Sequence, residues 1–219
     1  RQRQMCIRDR FQILRIIGNM SDAERCAAVS HQETVDIPAL FAEFFEKAET
    51  LVSHTGITLT YEGPDQPIYG LADREQLERA VLNILSNAIK FTPKGGTVTA
   101  KLTRSGRMLR LSVTDSGSGI AQSVRSSVFS RYLRQPALED SRYGIGLGMV
   151  LIRTAAAHHG GAVLIDQPEG VGTRITMTMS IRQSKQATLR SNVLRVDYAG
   201  ERDHGLIELS ECLPTELYE

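Results

Sequence analysis

Tryptophan is absent from this 219-residue chain, and aromatic residues make up only 5% of it. A nucleic-acid-binding surface built on stacked aromatic rings is therefore poorly supported. Cysteine is scarce as well: Cys6, Cys26 and Cys212 are odd in number and scattered. They lack metal-ligand spacing, and free thiols in a reducing cytoplasm are the simplest reading. An excess of charge of one sign is missing too, since the formal net charge is only +1. Neither a nucleic-acid backbone nor an anionic membrane surface is an obvious partner. No apolar run approaches the roughly 20 residues that a membrane-spanning helix needs, and no secretory leader opens the sequence. This chain is expected to make no membrane contact, although a parent protein could carry an anchor.

What is present is an ordinary globular balance, 41% hydrophobic and 23% charged, enough to bury a core. The arginine-dense opening RQRQMCIRDR reads as an extension. Apolar residues at helical spacing from Phe11 (Phe11, Leu14, Ile17) suggest the end of a longer helix. The segment VDIPALFAEFFEKAETLVSHTG predicts a helix with Leu40, Phe44, Ala48, Leu51 and Val52 on one face, stopped at Gly56. ITLTYEG then alternates as a strand. Asp73 and Gln76 read as a helix N-cap with its capping-box partner, opening a helix to about Phe91 that TPKGG closes. TVTAKL and MLRLSVTD pair around RSGR, and a short helix is expected from about Gln122 to Phe129. GAVLID and GTRITMTMSI form a hairpin. After a polar link, VLRVDYAG and HGLIELSEC suggest one more hairpin.

Three groups of residues carry chemistry. On the 74–90 helix, Leu77, Val81, Ile84, Leu85 and Ala88 share one face, while Gln76, Arg79, Asn83, Asn87 and Lys90 gather on another. An amide oxygen suits a magnesium ion that keeps waters and takes phosphate oxygens, and a lysine meets a phosphate as a point charge. A plain solvated face explains the same pattern. In VTDSGSGI, Asp115 ends a strand as a pure acceptor able to take the exocyclic amino proton of adenine. Gly117 and Gly119 would let the backbone approach a flat base. The plainer reading is an Asp-Gly turn. GIGLG, Gly144 to Gly148, precedes a helix, where backbone N–H groups favour phosphate. By itself it could equally be a hinge, and it matches neither the Walker nor the dinucleotide fingerprint.

In this order the motifs resemble the histidine kinase branch of the GHKL, or Bergerat-fold, ATPase superfamily. NILSNAIKFTPKGG resembles its N box, DSGSGI its first glycine box, VFSRYLR its F box and GIGLGMVLIR its second glycine box. HHGGAVLIDQPEGVGTRITMTM is similar to its closing hairpin. The resemblance covers about Leu71 to Ile181, half the chain. It implies an α+β, two-layer α/β sandwich with a mixed, mostly antiparallel sheet and helices on one face. The organisation expected is a 1–30 extension, with Phe11 to Ser30 as the stub of a dimerisation hairpin, then a 31–181 catalytic domain and a 182–219 tail.

The resemblance also implies ATP and Mg2+ as cofactors. Asn87 would be the metal ligand, with Asn83 beside the metal or phosphates. Lys90 and Phe91 would contact phosphate and nucleotide. Asp115 would read adenine, with Gly117, Gly119 and Ile120 shaping its pocket. Gly144, Gly146, Leu147 and Gly148 would line the phosphates, and Thr173 would help hold adenine. One of Arg131, Arg134 and Arg142, in the loop resembling the family's nucleotide lid, would reach phosphate. Hydrolytic members of the superfamily place a glutamate where this chain has Asn83, and an amide cannot act as general base for water. The expected activity is thus transfer of the γ-phosphoryl to a histidine on a helical hairpin absent from this chain, with a response regulator downstream. His31 lacks the continuation of that acceptor motif and reads as a surface histidine. A nucleotide-binding regulatory module and a hydrolase of the same fold are the alternatives.

Overall fold

The computed structural model describes residues 32–119, 147–168, 172–182, 204–210, 212–214 and 217. Two short strands, β1 (Glu33–Asp36) and β3 (Tyr69–Ala72), pair antiparallel into a small sheet of their own. Neither was expected from the sequence, because four residues are too few to show a period. Helix α1 (Ile37–Ser53) begins directly after β1, with Pro38 in its first turn, where a missing N–H costs nothing. The Asp36 carboxylate does not cap this helix; its Oδ1 accepts the N–H of Ile68 at 3.1 Å and ties β1 to the approach of β3. Phe41, Phe44 and Phe45 are buried along α1 with Leu40, Ala48 and Val52, and Gly56 ends the segment at φ 75°.

The main sheet has five strands: β2 (Thr58–Glu62), β4 (Thr97–Ser105), β5 (Met108–Asp115), β6 (Val163–Asp166) and β7 (Arg174–Ser180), in the order β2-β4-β5-β7-β6. Only β2 and β4 run parallel, and the other pairs are antiparallel. The expected mixed, mostly antiparallel α+β sheet is therefore found. Alternation decides its faces: Ala100 opposite Val113, Leu102 opposite Leu111 and Leu111 opposite Met177 are all buried. Lys101 and Arg110 point the other way and are exposed. Helices α1, α2 (Arg74–Phe91) and α3 (Leu147–His158) pack on the apolar face, which makes the two layers.

Three expectations need correction. The β4–β5 turn is tighter than RSGR suggested, because both strands extend until only Gly106 and Arg107 separate them. At α2, Asp73 Oδ1 does accept the N–H of Gln76 at 3.1 Å, but the Gln76 side chain does not reach back; its Oε1 meets His158 Nδ1 at 3.0 Å. Finally, residues 204–208 are not a hairpin strand but a helix, α4 (His204–Glu208). Leu206, Leu209 and Leu213 recur at helical spacing, and Leu209 and Leu213 are buried in the same core cluster as α1 and α2. VLRVDYAG, the 122–129 segment, the Phe11–Ser30 stub and His31 lie outside the described residues. No helix among the described residues is long and apolar enough to cross a membrane.

Candidate functional site

The residues expected to act together come from three separate segments: α2, the end of β5, and the β6–β7 hairpin. Asp115 is the last residue of β5, opposite Val98 in the register. Alternation puts it on the same face as Leu111 and Val113, so its carboxylate enters the helix layer at the end of the sheet and is only 7% exposed. Its Oδ1 accepts two backbone N–H groups, from Gly117 at 2.8 Å and from Thr173 at 3.2 Å. Among the described residues no donor reaches Oδ2, which is left for a ligand. Burial pushes the carboxyl above its ordinary value of 3.8, and the two N–H donors pull against that shift.

Close backbone contacts set this pocket. A Cβ on Gly172 would meet the Asp115 carbonyl oxygen at 1.8 Å, and one on Gly117 would meet the Phe91 carbonyl oxygen at 2.3 Å. Glycine at both positions lets the hairpin and the C-terminus of α2 close on the strand end. Gly119 packs near Gln167 and the Gly172 carbonyl. Thr173, buried beside Asp115, donates through its N–H and accepts the Asp115 N–H at 2.9 Å. The loop after α2 is fastened to the same turn, since Ser116 Oγ accepts the N–H of Thr97 at 2.9 Å.

On α2, Asn87 is half-buried, and its Nδ2 donates to Met149 Sδ at 3.4 Å. That contact orients the amide and leaves Oδ1 without a partner among the described residues. No group of three or more His, Cys, Asp or Glu residues there could hold a metal. A neutral amide oxygen standing nearly alone fits a magnesium ion whose remaining ligands are water and phosphate oxygens. Lys90 and Phe91 are half-buried in the last turn of α2, and the Phe91 carbonyl lies against Gly117.

Asn83 is not on a solvated face. It is 1% exposed, and its Nδ2 donates to the Arg79 carbonyl at 2.9 Å and to Glu208 Oε2 at 3.4 Å. Its Oδ1 is buried without a hydrogen-bond partner. Gly148 abuts that oxygen, because a Cβ there would come within 2.7 Å of it. Gly148 therefore serves the approach of α3 to α2, whatever else it contacts. Leu147 is the first residue of α3. Ile120, Gly144, Gly146, Arg131, Arg134 and Arg142 lie outside the described residues. Sequence reasoning missed Met149, Gln167 and Glu208. Met149 had a local signal, as it immediately follows the second glycine cluster, whereas Glu208 had none.

The family model for histidine kinase-, DNA gyrase B-, and HSP90-like ATPases matches residues 72–183. An uncharacterized sensor-like histidine kinase of Rhizobium meliloti (strain 1021) is 31% identical over 218 residues, covering 93% of this chain and 41% of that protein. Among solved structures, the mycobacterial sensor histidine kinase MprB is 30% identical with a TM-score of 0.58, over 70% of this chain and 99% of that one. ShkA in complex with AMPPNP shares the fold, with a TM-score of 0.67 at 24% identity, over 80% of this chain and 37% of that one. The chain spans less than half the length of the curated relatives it matches.

Proposed function

The chain belongs to the family of histidine kinase-, DNA gyrase B-, and HSP90-like ATPases, as an ATP-binding domain of the sensor histidine kinase type, and from that premise we propose that it holds Mg-ATP and transfers the γ-phosphoryl to a histidine on a separate helical hairpin. The observation that carries this reading is the Asp115 carboxylate. One oxygen is fixed by two backbone donors and the other is left open at the end of a strand. Adenine offers an amino donor where guanine offers a carbonyl, so an ionised acceptor there selects the first base. Gly117, Gly119 and Thr173 shape the walls around it, and Ile120 would complete them.

Asn87, with its amide oriented by Met149, would hold the ion through Oδ1, and Lys90 would meet phosphate. When bound, the ion would neutralise charge on the phosphate oxygens during transfer. Gly144, Gly146 and one of the three lid arginines would complete the phosphate cradle. Asn83 has no basic oxygen for activating water, so the γ-phosphoryl is kept for another acceptor. Phosphoryl transfer depends mainly on positioning and charge neutralisation, which these residues supply. The acceptor hairpin and a response regulator would be its partners.

γ-labelled ATP with magnesium tests the reading, with and without an added hairpin domain carrying the acceptor histidine. Acid-labile label on that histidine is the expected result. Phosphate release without label would identify a hydrolase, and nucleotide binding with neither would identify a regulatory module. Absence of nucleotide binding would end the whole assignment.

A further inference from the structure

β2 is the outermost strand on one side of the main sheet, with β4 as its one neighbour among the described residues. Thr58 donates its N–H to the Gly96 carbonyl at 3.0 Å. In the parallel register that starts with Thr58 opposite Thr97, the backbone groups of Thr58, Thr60 and Glu62 therefore face β4. Those of Leu59 and Tyr61 point away from the sheet, and no strand pairs with them among the described residues. Proteins commonly blunt a free edge with lysine, proline or a covering element, and the TLTYE of β2 contains neither residue.

A groove of about 350 Å³ lies between this edge and α1. Ala42, Phe45, Glu46 and Glu49 line it from α1, a spacing that puts all four on one face of the helix, and Leu59 and Tyr61 line it from β2. Its floor is apolar: the Phe45 and Tyr61 rings stack with centroids 4.6 Å apart and planes 11° apart. Its rim is acidic. Glu46 and Glu49 are exposed and have no ion-pair partner among the described residues. Glu43 and Glu62 nearby are matched, the first by Lys47 and Arg74 and the second by Lys101.

We propose that the β2 edge and this groove dock an extended segment of a partner protein, added to the sheet as a further strand. An apolar side chain would lie over Phe45 and Tyr61, with a lysine or arginine two positions away meeting Glu46 and Glu49. Alternate side chains of a strand face the same way, so both can reach α1 while the segment's backbone bonds to Leu59 and Tyr61. A second copy of this chain fits less well, because two-fold pairing of β2 with β2 brings both acidic rims together. The inference stands apart from the nucleotide reading, since Asp115 is on β5, two strands away.

The test uses the full chain and a random library of seven-residue peptides. Enriched peptides should carry an apolar residue two positions from a basic one and bind with dissociation constants on the order of micromolar. Glu46→Lys with Glu49→Lys, both on the surface, should weaken them about tenfold with the melting temperature little changed. Should that chain misfold, Glu46→Gln with Glu49→Gln carries the same comparison at a smaller effect. Methylating the peptide's backbone nitrogens at alternate residues reads the strand itself. One register should weaken binding about tenfold or more and the other should leave it unchanged. The amide hydrogens of Leu59 and Tyr61 should exchange several-fold more slowly with peptide bound. No enrichment, enrichment of acidic peptides, or affinity indifferent to Glu46 and Glu49 would overturn the proposal. So would equal effects of the two methylation registers. Slow exchange at Leu59 and Tyr61 that follows the chain's own concentration would overturn it as well, and give the edge to a second copy.

Discussion

The backbone N–H of Asp73 donates at 2.9 Å to Nε2 of His159, 86 residues further along the chain. A backbone N–H can only donate, so that nitrogen is bare. His159 Nδ1 carries the hydrogen and gives it to the Ala155 carbonyl at 2.7 Å. The neutral ring thus joins the N-cap of α2 to the end of α3, the two helices that bring Asn87 and Met149 together.

Protonation of His159 would aim a second N–H at a donor. Burial, the largest cause, holds its pKa below the ordinary 6.5. The folded state therefore binds fewer protons than the unfolded one below that value. His159's contribution is fully present above about pH 6.5 and fades as the pH falls through the lower, folded value. His159→Leu is expected to lower stability by about 1–3 kcal/mol near neutrality, because the Asp73 N–H is left buried and unpaired. It should also flatten the dependence of Tm on pH below about 6.5. Thermal melts across that range check it, and a variant with the parental slope would remove His159 from this role.

Asn87→Ala should separate metal from base. The substitution suits a helix and removes only the Oδ1 proposed for the ion, together with the amide's contact to Met149. Phosphoryl transfer is expected to fall by on the order of 100-fold, with the melting temperature little changed. ATP titrated with magnesium and then with a chelator gives the sharper measurement. The parent's affinity should depend on the ion and the variant's should not. An ion dependence retained in full would mean that another residue holds the metal.

Asp115→Asn tests selection of the base. The amide keeps an oxygen for the Gly117 and Thr173 donors but turns Oδ2 into a donor facing adenine's amino group. Losing a hydrogen bond to a charged acceptor is worth about 1.5–3 kcal/mol, so ATP affinity should drop roughly tenfold to a hundredfold. GTP affinity should change much less. Since burial disfavours the ionised Asp115, the empty variant should melt no lower than the parent. Calorimetry with both nucleotides decides it: an unchanged ratio of ATP to GTP affinity excludes Asp115 from reading the base.

The parts of this fold that were legible in the sequence are those with a local period or a local stop. The apolar stripe of α2 from Leu77 to Ala88 announced a helix and its buried side, and the alternation in β5 placed Asp115 at a strand end. β1 and β3 escaped because four residues show no period, and their pairing joins Glu33 to Ala72 across α1 and β2. The burial of Asn83 was not legible, for a different reason. Helical geometry puts it with Asn87 and Lys90, away from the stripe, and nothing nearby in the chain foretells that Glu208 will cover it. The same holds for His159, whose partner on Asp73 is a backbone group that any residue would supply. Alternating apolar letters in HGLIELSEC imitated a strand, and only packing of Leu209 and Leu213 into the core settles that segment as helical.

Gly172 and Gly106 offer a matched pair for measuring what the close approach at Asp115 is worth. Both have positive φ, 92° and 60°, so alanine is strained at either position. They differ in surroundings: nothing lies within 4 Å of a Cβ on Gly106, whereas one on Gly172 would sit 1.8 Å from the Asp115 carbonyl oxygen. That oxygen belongs to a strand whose next hydrogen bond, from Asp115 N–H to the Thr173 carbonyl, spans 2.9 Å. Neither backbone can retreat without losing it. Gly106→Ala should therefore cost only the conformational term, about 1–2 kcal/mol, and leave ATP affinity unchanged. Gly172→Ala should cost more than that by about 1–3 kcal/mol, since a buried backbone bond is broken as well. It should also weaken ATP binding in whatever fraction stays folded, because the Thr173 donor leaves Oδ1. Denaturant unfolding and calorimetry on both variants give the two differences. Equal stability losses would mean that the hairpin yields freely, and that Gly172 does not fix the Asp115 carboxylate.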